Sequence, residues 1–155
     1  MPNTQELELT PEGSTNDLIF QFPAGIPGYE RARYFHLFKL GIEFGPYFAL
    51  RCIDEGGGPV FVVAHPRDVV GDYIIEIDSE YQDRLGLERA EDALVMVVCT
   101  LGKRSTAPSA NTYAPLVFNV SNGIALQVPQ PGSSFELRHQ LKPLFYDPTR
   151  AEKLS

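Results

Sequence analysis

Residues 22 to 29 read Phe22-Pro23-Ala24-Gly25-Ile26-Pro27-Gly28-Tyr29, two prolines and two glycines set among large apolar side chains. Phe22-Pro23-Ala24-Gly25 suits a type I turn, because proline pre-sets φ at the second position and glycine is favoured at the fourth. Ile26-Pro27-Gly28-Tyr29 suits a type II turn, whose third position needs a positive φ that glycine adopts without a Cβ clash. Two turns back to back exclude a helix or a long strand from this stretch. They predict a rigid corner between two strands, with Phe22, Ile26 and Tyr29 plugging the core. Similar punctuation recurs along the chain, which has 13 Pro and 13 Gly in 155 residues. Breaks that frequent leave only short segments, which favours strands over helices.

The fold class expected is therefore all-β: a compact antiparallel β-barrel-like domain with one short helix. Leu18, Phe20 and Phe22 share one side of an alternating run, and Gln21 takes the other. After a solvated bend at 30–33, residues 34–40 resume as strand. Residues 47–53 and 60–64 flank the loop Asp54-Glu55-Gly56-Gly57-Gly58-Pro59 and read as a hairpin. Residues 65–72 form a proline-led loop and 73–77 a further short strand. The single helix is expected over 78–86, where Asp78 can cap, carboxylates occupy the first turn and Gly86 stops. Residues 93–101 are apolar on both faces, Leu94, Met96 and Val98 against Val95, Val97 and Cys99, so that strand should be central and covered on both sides.

Beyond a polar, basic loop at 102–109, Asn122-Gly123 between 116–120 and 124–128 is the strongest hairpin signal, since both residues tolerate a positive φ. A Pro-Gly break then leads to 135–137. Glu6-Leu7-Glu8-Leu9 is a marginal edge strand in an otherwise polar start. The domain organisation expected is a polar segment at 1–16, one β domain at 17–141 and a polar tail at 142–155, a size that can bury a core without staples.

The formal net charge of −7 argues against direct nucleic-acid binding and points to solubility or to a basic protein partner. With no cationic, apolar leader and no run of 18 apolar residues, the expected location is cytoplasmic, with no membrane contact. Cys52 and Cys99 are expected as reduced core thiols. His36, His65 and His139 are scattered, and His36 reads as a partly exposed strand residue. His65, Asp68 and Asp72 lack a Cys or second His at ligand spacing, so neither metal nor cofactor is expected. There is no Gly-x-Ser-x-Gly, and Gly56-Gly57-Gly58 follows two carboxylates without a Gly-Lys-Ser/Thr, which excludes a nucleophile elbow and a phosphate cradle. Glu76 and Asp78 share one side of a strand, as a carboxylate-dependent hydrolase would require, but no Trp supplies a sugar platform, and catalysis is not expected. Basic groups at Lys103-Arg104 and at Arg138, His139 and Lys142 read as a solvated loop and tail. The acidic residues Asp54, Glu55, Asp72, Glu76, Asp78 and Glu80, with Asp83, lie in loops and short elements; gathered on one rim, they would make a negative surface beside an apolar one.

Taken in order, these motifs resemble the flagellar assembly factor FliW family. The resemblance is carried by the 22–29 corner near the start of a short acidic chain and by Tyr47-Phe48-Ala49-Leu50 before an acidic loop. Val60-Phe61-Val62-Val63-Ala64-His65-Pro66 and the apolar run 93–101 follow. Asn111-Thr112-Tyr113-Ala114-Pro115-Leu116-Val117-Phe118-Asn119, Ile124-Ala125-Leu126-Gln127-Val128 and Arg138-His139 complete it. It covers residues 18–141 and implies a cytosolic protein of β-barrel type. It also implies binding to CsrA, a small basic RNA-binding regulator, with allosteric antagonism of its repression of flagellin translation. Binding to flagellin is implied as well, releasing CsrA as flagellin accumulates; a flagellin-binding assembly chaperone without CsrA contact is the neighbouring reading. The expected partners are CsrA and flagellin, and the expected state is a monomer. The acidic set is the expected CsrA contact, and Ile26, Pro27, Gly28 and Tyr29 with Asn111 and Pro115 are expected as a further contact or its scaffold.

Overall fold

Leu18, Phe20 and Phe22 are buried while Ile19 between them is exposed, so the first alternating run settles as a strand, β1 (Ile19–Gln21). The structure, a computed structural model, describes residues 18–102 and 107–141. The expected edge strand at 6–9, Lys103-Arg104, Lys142 and the terminal segments 1–16 and 142–155 lie outside the described residues.

The chain continues through β2 (Tyr34–Lys39), β3 (Phe48–Cys52), β4 (Val60–Ala64), β5 (Ala93–Thr100), β6 (Ser109–Ala110), β7 (Leu116–Asn119), β8 (Ala125–Gln127) and β9 (His139–Gln140). Every ladder is antiparallel, in the order β1-β2-β3-β4-β5-β6-β9, with β7 beside β5 and β8 beside β7. The all-β expectation holds, but "barrel" applies only loosely, because the sheet is not closed. A single parallel bridge between Gln21 and Ile124 touches the β1 edge, with Gln21 N donating to Gly123 O at 2.8 Å.

β5 is central, as its composition requires. It pairs with β4, β6 and β7, and its side chains split by parity. Leu94, Met96 and Val98 face the main core with Phe22, Phe35, Leu50 and Phe118. Val97 and Cys99 face a second cluster with Tyr47, Ala64 and Val69, and Ala93 and Val95 a third with Leu85, Val117 and Leu126. Edge-to-face rings fix the main core, with Phe20 on Phe118 at 4.7 Å and Phe22 on Phe35 at 5.1 Å. Cys52 and Cys99 are free thiols, buried in different clusters; burial pushes the Cys99 thiol up to about 12, which keeps it protonated and inert.

The outward side of β5 is covered by α1 (Pro66–Val69), the stretch after it, and α2 (Ser79–Leu85). α2 begins and ends where the sequence indicates: Asp78 Oδ1 accepts from Tyr81 N at 3.0 Å, and Gly86 closes the helix at φ 68°. α1 is a single helical turn inside the expected loop at 65–72, where Pro66 at the first helical position costs no hydrogen bond.

Four expectations are corrected. Residues 73–77 alternate inward and outward but join no ladder among the described residues, because a side chain stands in for the partner strand. Residues 135–137 form no strand; pairing comes later at β9, against the two-residue β6 that begins within the expected loop at 102–109. The β7–β8 hairpin forms, but no described non-glycine residue has a positive φ, so Asn122 is not left-handed. Instead the loop is closed by Asn119 N donating to Ile124 O at 2.8 Å, with Gly123 alone at φ 80°, because the Asn122 side chain is drawn to Leu85 O. Lastly, both corner turns form, with Gly25 N on Phe22 O at 2.9 Å and Tyr29 N on Ile26 O at 2.6 Å, but Tyr29 is 48% exposed. Phe22 and Ile26 already fill the interior, and the Tyr29 ring sits edge-on against Phe61 from outside, at 5.5 Å.

The corner gives a paired prediction. A Cβ on Gly25, at φ 68°, would lie 2.5 Å from the Glu30 carbonyl oxygen, whereas one on Gly28, at φ 90°, meets nothing within 4 Å. Gly25→Ala should lower unfolding free energy by about 2–4 kcal/mol, strain plus overlap. Gly28→Ala should lose only the left-handed penalty of about 1–2 kcal/mol. Urea denaturation of both variants checks the difference; equal losses would contradict it.

Candidate functional site

Between α1 and α2 the chain lies as a strap across the outside of the sheet. Ile75 and Ile77 turn inward onto Val95, Val117 and Leu126, and their alternates Asp72, Ile74, Glu76 and Asp78 are exposed. Ile74 is 85% exposed. The strap is held by side chains from distant residues. Gln130 Nε2 donates to Glu76 O at 2.8 Å and its Oε1 accepts from Glu76 N at 2.9 Å, so one amide satisfies both backbone groups of Glu76. Tyr73 Oη donates to Thr112 O at 2.5 Å while its ring packs on Phe135, and burial pushes the phenol well above its usual range. At the other end Gln82 Nε2 donates to Ile77 O at 2.6 Å.

Two hollows flank the strap, and Ile74 lines both. One, of about 500 Å³, is bounded by Glu76, Asp78, Tyr81, Gln130 and Phe135. The other, of about 770 Å³, is bounded by His65, Arg67, Asp68, Asp72, Leu94 and Val95. His65 packs edge-on against Phe48 at 5.3 Å, and burial holds its imidazole below the usual value. Among the described residues no three His, Cys, Asp or Glu side chains gather closely enough to hold a metal. His36, expected as a partly exposed strand residue, is half-buried in β2.

The acidic set does not form one rim. Asp54 sits at the Val60 end of β4, where its carboxylate accepts from Arg33 N at 2.8 Å and Tyr34 N at 2.9 Å, tying the β3–β4 turn to the start of β2. The Arg33 amide, followed by that of Tyr34, holds the Asp54 carboxyl below its usual value. Exposed Glu55 stands beside it, whereas Asp72, Glu76, Asp78 and Glu80 follow the Ala64 end of the same strand. At the corner, Ile26 is buried and Pro27, Gly28 and Tyr29 are exposed. Asn111 and Pro115 are internal supports: Asn111 Oδ1 accepts from Ala114 N at 3.0 Å, and buried Pro115 accepts from Val128 N at 2.9 Å. Asn119 and Asn122 both donate to Leu85 O at 2.9 Å, fastening the end of α2 to the β7–β8 loop.

Sequence reasoning missed Ile74 and Gln130. Ile74 shares the parity of Asp72, Glu76 and Asp78, a pattern that marks it as outward-facing. Gln130 carries no local signal, since its partner lies 54 residues away.

The family model described as FliW protein matches residues 5–141. The chain belongs to the FliW family. Among its relatives, the flagellar assembly factor FliW of Syntrophomonas wolfei is 34% identical over 137 residues, covering 87% of this chain and 83% of that one. The Bacillus subtilis factor of the same name is 28% identical, over 79% of this chain and 85% of that one. A crystal structure of the flagellar assembly factor FliW superposes with a TM-score of 0.73 at 26% identity, covering 83% of this chain and 89% of the other. The all-β architecture is thus that of the FliW family, whose named relatives are flagellar assembly factors. No helix among the described residues is long and apolar enough to cross a membrane.

Gln130→Leu leaves both backbone groups of Glu76 without their partner, so the Glu76 amide should exchange with solvent at least about tenfold faster while β5 amides keep their protection. Hydrogen exchange read by NMR checks this, and an unchanged Glu76 rate would remove Gln130 as the clamp. Because the Asp54 pKa is lowered on folding, its contribution to stability is present above about pH 4 and is lost as pH falls through the depressed value. Asp54→Ala should therefore be less stable than the parent at neutral pH, with the gap closing in acid; a gap that is constant down to pH 2 would contradict the assignment.

Proposed function

We propose that this FliW-family protein acts by contact rather than by catalysis. It binds CsrA and antagonises its repression of flagellin translation allosterically, and flagellin in turn binds this protein and frees CsrA. The observation that carries the reading is family membership across residues 5–141, together with relatives named as flagellar assembly factors. The geometry is compatible with it: exposed carboxylates flank an apolar side chain on a strap anchored from three directions, an arrangement suited to a basic protein partner. The hydrolase reading of Glu76 and Asp78 is less favoured, because the Asp78 carboxylate is engaged as the α2 cap.

Size-exclusion chromatography of the purified protein with CsrA, with flagellin and with both tests the proposal. Each partner should co-elute with it, and flagellin should displace CsrA from the mixture. Co-elution with neither would contradict the proposal, and co-elution with flagellin alone would leave an assembly chaperone. The CsrA complex should also weaken as salt rises, because exposed charges are screened over about 8–10 Å near physiological ionic strength. Calorimetry across a salt series checks that slope, and a flat response would remove the electrostatic component.

A further inference from the structure

We infer that the strap is a docking ridge, centred on Ile74, for a lysine- or arginine-bearing segment with an apolar middle; this deepens the CsrA reading and rests on it. Among the described residues Ile74 is the most exposed large hydrophobic side chain, at 85%, ahead of Leu137 at 65%. Folding leaves that surface hydrated although Ile75 and Ile77 beside it are tucked inward, so the exposure follows from the register of the strap. Asp72 and Glu76 project on the same side, two before and two after Ile74, while Asp78 beyond them is turned to the α2 cap. An apolar centre ringed by charge has the anatomy of a protein-binding hot spot and its polar rim. The two carboxylates beside Ile74, Asp72 and Glu76, with Asp68 in the second hollow, outnumber Arg67 there, which favours Lys and Arg around an apolar side chain over the phosphates of a nucleic acid or an anionic membrane.

The hollows on either side of Ile74 offer apolar walls, Val128 and Phe135 in one and Leu94 and Val95 in the other, for the apolar side chains of the occupant. Anchoring by Gln130, Tyr73 and Gln82 means that the ridge is already ordered, so docking costs little further entropy. The corner is the weaker competitor. Its Tyr29 ring is already against Phe61, and the Asp54 carboxylate beside it is taken by two backbone amides.

The test is calorimetry and stopped-flow association with purified CsrA, using the full chain, Ile74→Asp, Ile74→Ala, the Asp72→Lys/Glu76→Lys double variant and Tyr29→Ala. Thermal melts confirm folding, and Ile74→Ala serves should the aspartate variant fail to fold. Ile74→Asp should weaken binding by about tenfold or more, and Ile74→Ala by a smaller factor in the same direction. The double charge reversal should slow association by about tenfold at low salt, and Tyr29→Ala should stay within about twofold of the parent. If the parent binds CsrA and the folded Ile74 and charge-reversal variants match it, the ridge is overturned while the functional reading stands. A parent that binds no CsrA overturns the functional reading and the ridge with it.

Discussion

The greasiness of β5 on both faces is the constraint from which the rest of this structure follows. Met96 and its even-numbered neighbours are satisfied by the main core, but Val95, Val97 and Cys99 face the other way and must also leave water. Among the described residues the nine-stranded sheet does not close and cannot cover its own outside, so the chain between β4 and β5 is laid across it as α1, the strap and α2. Covering a sheet with an alternating segment sends every second side chain back out to solvent. Ile75 and Ile77 seal the third cluster, and Asp72, Ile74 and Glu76 become the display, with Asp78 turned to the α2 cap. The candidate site is thus a by-product of finishing the core.

A strap that makes no ladder needs its backbone groups satisfied in another way, and here side chains do it. The Gln130 amide fills the place of a partner strand at Glu76, and Asn119 with Asn122 fastens the last carbonyl of α2 to the β7–β8 loop. Asn111 likewise spends its side chain on the Ala114 amide. The carboxylates divide in the same way. Asp54 and Asp78 are spent on backbone amides, one at the start of β2 and one at the start of α2, whereas Glu76 uses only its backbone on Gln130 and presents its side chain outward.

What the sequence made legible was local: the two corner turns, both ends of α2, the alternation around Phe20 and the two-faced composition of β5 are written in neighbouring residues. What it concealed was set by distant ones. Nothing near residue 76 shows that Gln130 will replace a strand, and nothing at Asn122 shows that Leu85 O will claim its amide and keep it out of the left-handed region. Apolar character at Tyr29 does not bring burial, because Phe22 and Ile26 already fill the available interior. The acidic residues are close in the chain but not in space, since β4 separates Asp54 and Glu55 from the strap by its full length.

A hydrogen-exchange footprint of the protein with and without CsrA tests, without altering any residue, whether the strap is the surface that meets a partner. Protection gained on binding should concentrate in residues 72–82 and in the 128–135 segment across the first hollow. Protection confined to the outer face of β1, β2 and β3, with the strap unchanged, would contradict it.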